Sequence, residues 1–437
     1  MLQRKILSQL QAWKQKPRDQ KKALILQGAR QVGKTYAIRS FGAAAYDQVL
    51  EINFKETPSA MEIFSGDLDV KSLLTAIRFR YPQVPLEPDR TLLFLDEIQE
   101  CPEAITSLKF WAQDQRFDVI ASGSLLGIDY KRPSSYPVGY VEHLSMAGLD
   151  FEEFLWSQGI DSSLIEKLRE CFETRTPVPQ AIHGELLRLF RVYTALGGMP
   201  EVVFQYQQSH DFLAADRVQR DLLQGYLYDI AHYASPEEKI KAEKCYLSLS
   251  RQLLEKENHK FQYKEVEQGG RAQKYYSSLE WLMKADMVYQ ARNVNRILYD
   301  LSDYELADNF RVYPSDLSLL MAMRDFDLKR QIVEDVLTGH TVGGVYECAL
   351  MDQLHKNGHT LHYFRDESSR KDIDSLMQQN GQVIPLEFKS RNAVSTSLNQ
   401  LMKSRDDLPL AYKIARANIG VSENRIITIP HYMVMFL

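Results

Sequence analysis

The 437-residue chain has four cysteines, Cys101, Cys171, Cys245 and Cys348, and no two of them form a CxxC pair. No histidine cluster stands at zinc spacing. A disulfide framework and a structural zinc are therefore excluded, and the chain is expected in the reducing cytoplasm. No apolar run is long enough to span a bilayer. The start, Met1-Leu2-Gln3-Arg4-Lys5, lacks the apolar stretch of a secretory signal. Low-complexity tracts and internal repeats are absent. Charge of one sign is not in excess: the net value is −5. Bulk electrostatics will not recruit a polyanion, so any contact with nucleic acid needs a local basic patch. What remains is an ordinary globular composition, 44% hydrophobic and 25% charged. The chain is too long for one core, and two or three domains are expected.

The most informative segment is Gly28-Ala29-Arg30-Gln31-Val32-Gly33-Lys34-Thr35. It follows the apolar run Ala23-Leu24-Ile25-Leu26 and leads into Tyr36-Ala37-Ile38-Arg39, which reads as a first helical turn. Strand, glycine loop and helix together are the context a phosphate-binding loop requires. Its glycines allow several backbone N–H groups to face one anion, and the helix start adds its positive dipole end. The nine residues Gly28 to Tyr36 are the candidate nucleotide-binding set. Lys34 would neutralise β- and γ-phosphate charge. Thr35 would offer its hydroxyl to Mg²⁺.

A second element completes the pattern. Thr91-Leu92-Leu93-Phe94-Leu95 is an apolar strand that ends in Asp96-Glu97. At the carboxyl end of a buried strand, Asp96 reaches the Mg²⁺ sphere and Glu97 polarises the attacking water. The next strand ends in Ser122-Gly123-Ser124. Ser122 and Ser124 are both candidates for sensing the γ-phosphate, and the sequence does not choose between them. The expected cofactors are ATP and Mg²⁺, and the expected activity is ATP hydrolysis. A small-molecule kinase shares the loop, but no arginine-rich lid is evident and Asp96-Glu97 suits water activation better.

These three motifs resemble a large prokaryotic family of AAA+ ATPases that carry a C-terminal domain of unknown function. Tyr136-Pro137-Val138-Gly139 before Leu149-Asp150-Phe151-Glu152-Glu153-Phe154-Leu155, and Gly197-Gly198-Met199-Pro200-Glu201, match it further downstream. The resemblance implies a sensor strand inserted between the two Walker strands, a winged-helix segment and a C-terminal restriction-endonuclease-like domain. It also allows an oligomer. One position departs: where the family has a basic residue after the Pro-Val-Gly turn, this chain has Tyr140. Arg30, Lys131 and Arg132 are nearby cations, none of them singled out. Without an arginine finger, basal hydrolysis would be slow unless a partner supplies the charge.

The fold class expected is α/β. It comprises an N-terminal P-loop AAA+-type domain with a parallel sheet over 1–150, a helical lid or linker over 151–235, a winged-helix-like segment over 236–330 and a C-terminal α/β restriction-endonuclease-like domain over 331–437. Residues 1–20 read as one amphipathic helix with Leu2, Ile6, Leu10 and Trp13 on its apolar face. Strands are expected at 23–26, 48–54, 91–95 and 117–121. Helices are expected at 151–156, 211–233 and 272–284, and a strand at 287–291. In the last part a helix over 345–354 precedes strands at 359–364, 373–378 and 383–388, then a helix at 398–403 and a strand at 425–429. Tyr275, Tyr276 and Trp281 read as core rather than as stacking platforms.

The second chemical constellation lies in that last part. Glu387 and Lys389 alternate on one strand and face the same way. Asp374 lies on the preceding strand across a turn at Gly381, with Asp372 as its rival. Glu347, on the helix before, adds a ligand or steadies the lysine. Acids that hold Mg²⁺ beside a lysine that orients water are what a metal-dependent phosphodiesterase needs, and the pattern resembles the PD-(D/E)xK core. Arg365, Arg370, Lys371, Arg391, Lys403, Arg405, Lys413 and Arg416 give the domain a basic character. DNA or RNA is therefore the expected partner beside the nucleotide, and no membrane is involved. The alternative is a nucleotide-gated switch that binds protein or DNA without cleaving it.

Overall fold

A computed structural model describes residues 2–123, 135–255, 259–366 and 371–437. The chain divides into two compact units, one holding Arg4–Ala147 with Lys284–Asp286, the other Gly148–Met283 and Met287–Leu437. Among the described residues, no helix is long and apolar enough to cross a membrane.

The first unit begins with α1 (Ile6–Lys14), which buries Ile6, Leu10 and Trp13. The helix is shorter than the expected 1–20. It stops ahead of Pro17, which cannot donate to an earlier carbonyl, and a 3₁₀ turn over Arg18–Gln20 follows. Then come β1 (Ala23–Gln27), α2 (Lys34–Ala45), β2 (Gln48–Asn53), α3 (Val70–Arg80), β3 (Thr91–Asp96), α4 (Pro102–Asp114), β4 (Asp118–Ser122) and β5 (Val141–Ser145). The sheet order is β2-β3-β4-β1-β5, and every pairing is parallel. The sensor strand β4 therefore lies between β1 and β3, as the resemblance implied. Helices cover the sheet, so β3 and β4 are buried along their whole length. Leu50, Ile52, Leu93, Leu95, Val119 and Ala121 pack against Phe54, Leu73, Ile77, Leu108 and Trp111. Each fully buried large side chain contributes roughly 1.5–3 kcal/mol. Asp69 caps α3 by accepting from Lys71 and Ser72 N–H at 3.1 Å, and Pro102 opens α4.

The second unit starts with helices: α5 (Phe151–Ser157), α6 (Ser162–Thr174), α7 (Gln180–Leu196), α8 (Pro200–Ser209), α9 (Phe212–Tyr233), α10 (Lys239–Leu254), α11 (Tyr263–Val266) and α12 (Ala272–Lys284). Asp150 and Glu153 form a capping box on α5, which explains the acids in the motif around Phe151. Then follow β6 (Val288–Val294), β7 (Glu305–Pro314), α13 (Leu317–Ala322), α14 (Phe326–Val333), α15 (His340–Lys356), β8 (His362–Asp366), β9 (Lys371–Gln379), β10 (Gln382–Phe388), α16 (Thr396–Ser404), β11 (Ala411–Ala415), β12 (Gly420–Val421) and β13 (Ile426–Pro430). They form one eight-stranded sheet in the order β12-β13-β11-β10-β9-β8-β6-β7. The β6–β7 ribbon after α12 is antiparallel and joins this sheet through a parallel pairing of β6 with β8. Tyr275 is fully buried, whereas Tyr276 is 52% exposed.

Candidate active site

The phosphate-binding loop connects β1 to α2. Gly28 has φ +145°, and a Cβ there would lie 2.0 Å from the Met146 carbonyl oxygen, so only glycine fits. Arg4, ahead of α1, secures the loop from beneath. Its guanidinium donates to Val32 O at 2.9 Å and to Ala147 O at 2.6 Å. Lys34 opens α2 and folds back over the loop, donating to Gly28 O and Ala29 O, both at 2.8 Å. Burial lowers its pKa to about 8, against the opposing pull of the Glu97 carboxylate. Tyr36 is half exposed and Gln31 takes the left-handed conformation at φ 64°.

Asp96, at the end of β3, is the hub of the site. It accepts from Thr35 Oγ1 at 3.1 Å, from Asn53 Nδ2 at 3.0 Å, from Glu97 N at 3.1 Å and from Ser122 Oγ. Burial raises its pKa, and the Ser122 and Thr35 hydroxyls oppose the rise. Four elements thus meet at one carboxylate: α2, β2, β3 and β4. The donor set is a hydroxyl beside a carboxylate under a loop of backbone N–H groups. It fits a hard oxygen-seeking cation and a polyphosphate. Glu97 follows in the left-handed conformation at φ 51°, and Gln99 Nε2 donates to its carboxylate. Of the two sensor serines, Ser122 reaches Asp96. Ser124 lies outside the described residues, as do Lys131 and Arg132.

Tyr140 sits just ahead of β5, and its carbonyl accepts from Ala23 N at 3.2 Å. Since β1 and β5 are parallel, Tyr140 is at the end of β1 opposite the loop, about six residues or roughly 20 Å away along the strand. A cation there would not reach the phosphates of its own chain. Lys109 covers the ring instead, with Nζ 5.4 Å from its centroid.

In the second unit, His259, His340, Glu347, Asp374, Phe388 and Lys389 line a cavity of about 320 Å³. Three of the four predicted residues are on its wall. Glu387 stands just behind. Its Oε1 lies 2.6 Å from Lys389 Nζ, and its Oε2 accepts from Leu398 N in the first turn of α16 at 3.3 Å. Asp374 lies in a bulge, where the β8–β9 register slips between Ile373 and Leu376. Its Oδ2 accepts from Phe388 N at 2.6 Å. Burial pushes its pKa up to about 7, with the Glu347 and Asp372 charges adding to the rise. Asp372, the rival, pairs instead with Arg365 at 3.3 Å.

Glu347 is more tightly held than its sequence context suggests. Arg311 from β7 donates to its Oε1 at 2.8 Å, Tyr313 to the same oxygen at 3.1 Å, and His259 Nδ1 lies 2.6 Å from Oε2. Burial alone would raise the Glu347 pKa. Arg311 and then His259 outweigh it and hold the carboxyl at about 2. Among the described residues, no three His, Cys, Asp or Glu side chains are grouped to hold a metal ion. Several of the basic residues also have acids: Arg405 meets Asp407 at 2.6 Å, and Arg416 meets Asp335.

Residues 20–155 match the AAA domain family. The first unit carries an AAA ATPase domain. Residues 187–330 match a domain of unknown function, DUF8612, and residues 342–434 match another, DUF4143. No curated protein matches the chain. Similar solved structures include a Walker-type ATPase of Pyrococcus abyssi, at 15% identity and TM-score 0.43, covering 74% of this chain and 96% of that one. The Orc1 protein of Aeropyrum pernix in complex with DNA aligns at 13% identity and TM-score 0.28, covering 77% and 95%. AMPPCP-bound DnaA from Aquifex aeolicus aligns at 12% identity and TM-score 0.29, covering 64% and 86%. Scores this low carry no inference about this chain, and the family match stands by itself.

Within the first unit, the sequence reading missed Arg4, Asn53 and Gln99. Asn53 had a visible signal, since a polar residue ends the apolar run of β2 just as Ser122 ends β4. Arg4 had none, because its partners are main-chain carbonyls.

Proposed function

We propose that the AAA domain hydrolyses ATP in a Mg²⁺-dependent reaction. In this reading the loop from Gly28 to Thr35 holds the phosphates, and Lys34 leaves the loop carbonyls for β- and γ-phosphate oxygens. Thr35 and Asp96 would hold Mg²⁺, which would neutralise phosphate charge. Glu97 takes a proton from the attacking water, and Ser122 reports on the γ-phosphate. The observation that supports this reading most is the single carboxylate of Asp96 hydrogen-bonded to both Thr35 and Ser122. It ties loop, Walker acid and sensor strand into one site. Lys34→Ala should abolish hydrolysis, and Glu97→Gln should bind ATP without turning it over. Wild-type turnover in Glu97→Gln would remove Glu97 from its role.

The second unit is read as a nucleic-acid-directed module of restriction-endonuclease-like type. The order α15, three antiparallel strands β8–β10, α16 and then β11 parallel to β10 supports that reading. So does the placement of Asp374, Glu347 and Lys389 on one cavity. A binding role without cleavage is favoured by one feature: the Glu347 and Glu387 carboxylates are already taken by Arg311, His259 and Lys389. A cation at Glu347 would have to compete with a buried guanidinium. A Mg²⁺/Mn²⁺ cleavage assay on single- and double-stranded DNA and RNA separates the two roles. Cleavage lost in both Asp374→Ala and Lys389→Ala marks a nuclease; binding without cleavage on every substrate marks a gated binder. ATPase rates with and without DNA test whether the second unit's ligand drives the AAA domain.

A further inference from the structure

Gln99 stands two residues beyond Glu97, in a 3₁₀ turn over Ile98–Glu100, and is only 5% exposed. Its Nε2 lies 2.5 Å from Glu97 Oε2. A carboxylate only accepts, so the amide nitrogen must face it, and this fixes the orientation of the whole group. The other end, Oε1, is buried and finds no hydrogen-bond partner among the described residues. An unmet buried carbonyl is costly. Such a cost persists where the surroundings dictate the pose. The surroundings here include Gly123, the residue after β4. A Cβ at Gly123 would lie 2.3 Å from Gln99 Oε1. The side chain therefore lies flat against the backbone that follows Ser122, with its nitrogen on Glu97.

We propose that Gln99 is the positioning residue for Glu97, and that Gly123 is glycine so that the amide can reach across from the sensor strand to the base. The inference rests on the reading of Glu97 as the base. Glu97 is the largest charge acting on Lys34, so the carboxylate that the amide holds lies on the phosphate-loop side of the site. Losing the amide frees the carboxylate to swing, and a misplaced base costs about 10- to 100-fold in rate.

The test measures kcat and KM for ATP in full-length Gln99→Ala, Gln99→Glu, Gly123→Ala and the double variant Gln99→Ala/Gly123→Ala, beside Glu97→Gln. Gln99→Ala is expected to lose about 10- to 100-fold in kcat with KM within about twofold. Gln99→Glu should lose at least as much kcat, since it removes the amide donor and places a second carboxylate beside the first. Gly123→Ala meets only the far end of a flexible side chain, so it should fold normally yet lose kcat. In the Gln99→Ala background it should cost nothing more, which a merely structural role would not produce. Wild-type kcat in Gln99→Ala or Gly123→Ala, or equal Gly123→Ala losses in both backgrounds, overturns the proposal. Should Gln99→Ala not fold, Gly123→Ala alone decides. Full turnover in Glu97→Gln would instead refute the base itself.

Discussion

Lys356 Nζ lies 2.6 Å from Asp316 Oδ2, and the two side chains are 1% and 0% exposed. Asp352 Oδ2 is 2.7 Å from the same nitrogen and Tyr193 OH is 3.0 Å away. Asp316 in turn accepts from Gly198 N at 2.9 Å and from Ser318 N at 2.8 Å. This buried cluster joins the Gly-Gly segment between α7 and α8 to the end of α15, the helix that carries Glu347. Lys356→Met strands two carboxylates in the interior. A loss of about 3–5 kcal/mol is expected, read by chemical denaturation of the second unit.

Gly198 faces the same cluster. A Cβ there would lie 2.1 Å from Leu149 O and 2.6 Å from Lys356 Nζ. The first of these atoms is main chain and cannot swing aside. Gly198→Ala should destabilise the second unit by about 1–3 kcal/mol, measured as a lowered denaturation midpoint.

Lys34 gives a pH dependence of known sign. Burial holds its pKa at about 8 without nucleotide. Phosphate charge favours the ammonium, so bound ATP raises that pKa. Binding should therefore take up a fraction of a proton at pH 8.5, and affinity should weaken as pH rises through 8. Calorimetry in two buffers of different ionisation enthalpy measures the uptake. Lys34→Arg, which does not titrate in this range, should show none.

Asp374 gives the opposite kind of test. Its folded pKa of about 7 is above the ordinary carboxylate value, so the native state holds the proton more tightly than the unfolded chain does. Stability from this group falls as pH rises from about 4 to 7 and is level beyond. Asp374→Asn keeps an acceptor for Phe388 N. It should match the wild type at pH 4.5 and exceed it at pH 8 by on the order of 2 kcal/mol, seen in parallel denaturation curves.

The parts of the fold legible in the sequence are those where burial is two-sided. β3 and β4 are apolar throughout because helices cover both faces, and α12 occupies the expected 272–284. β5 escaped as a strand pattern because it is a partly exposed edge, so Val141-Glu142-His143-Leu144-Ser145 has no apolar run. β11 escaped because Tyr412 and Lys413 break its apolar character. The nucleotide loop is contiguous, and its chemistry could be read directly. The surroundings of Glu347 were not, since His259 and Arg311 lie 88 and 36 residues away in the chain. Only folding brings them to one carboxylate.

The β6–β7 ribbon has a practical consequence. It belongs to the same sheet as β8, although some fifty residues separate β7 from that strand. A fragment starting after α14 would strip β8 of its neighbour and leave a bare rim of amide and carbonyl groups, which invites adhesion between copies. Recombinant work on the tail should keep 288–314 attached, and insolubility of a shorter piece would say nothing about what the tail binds.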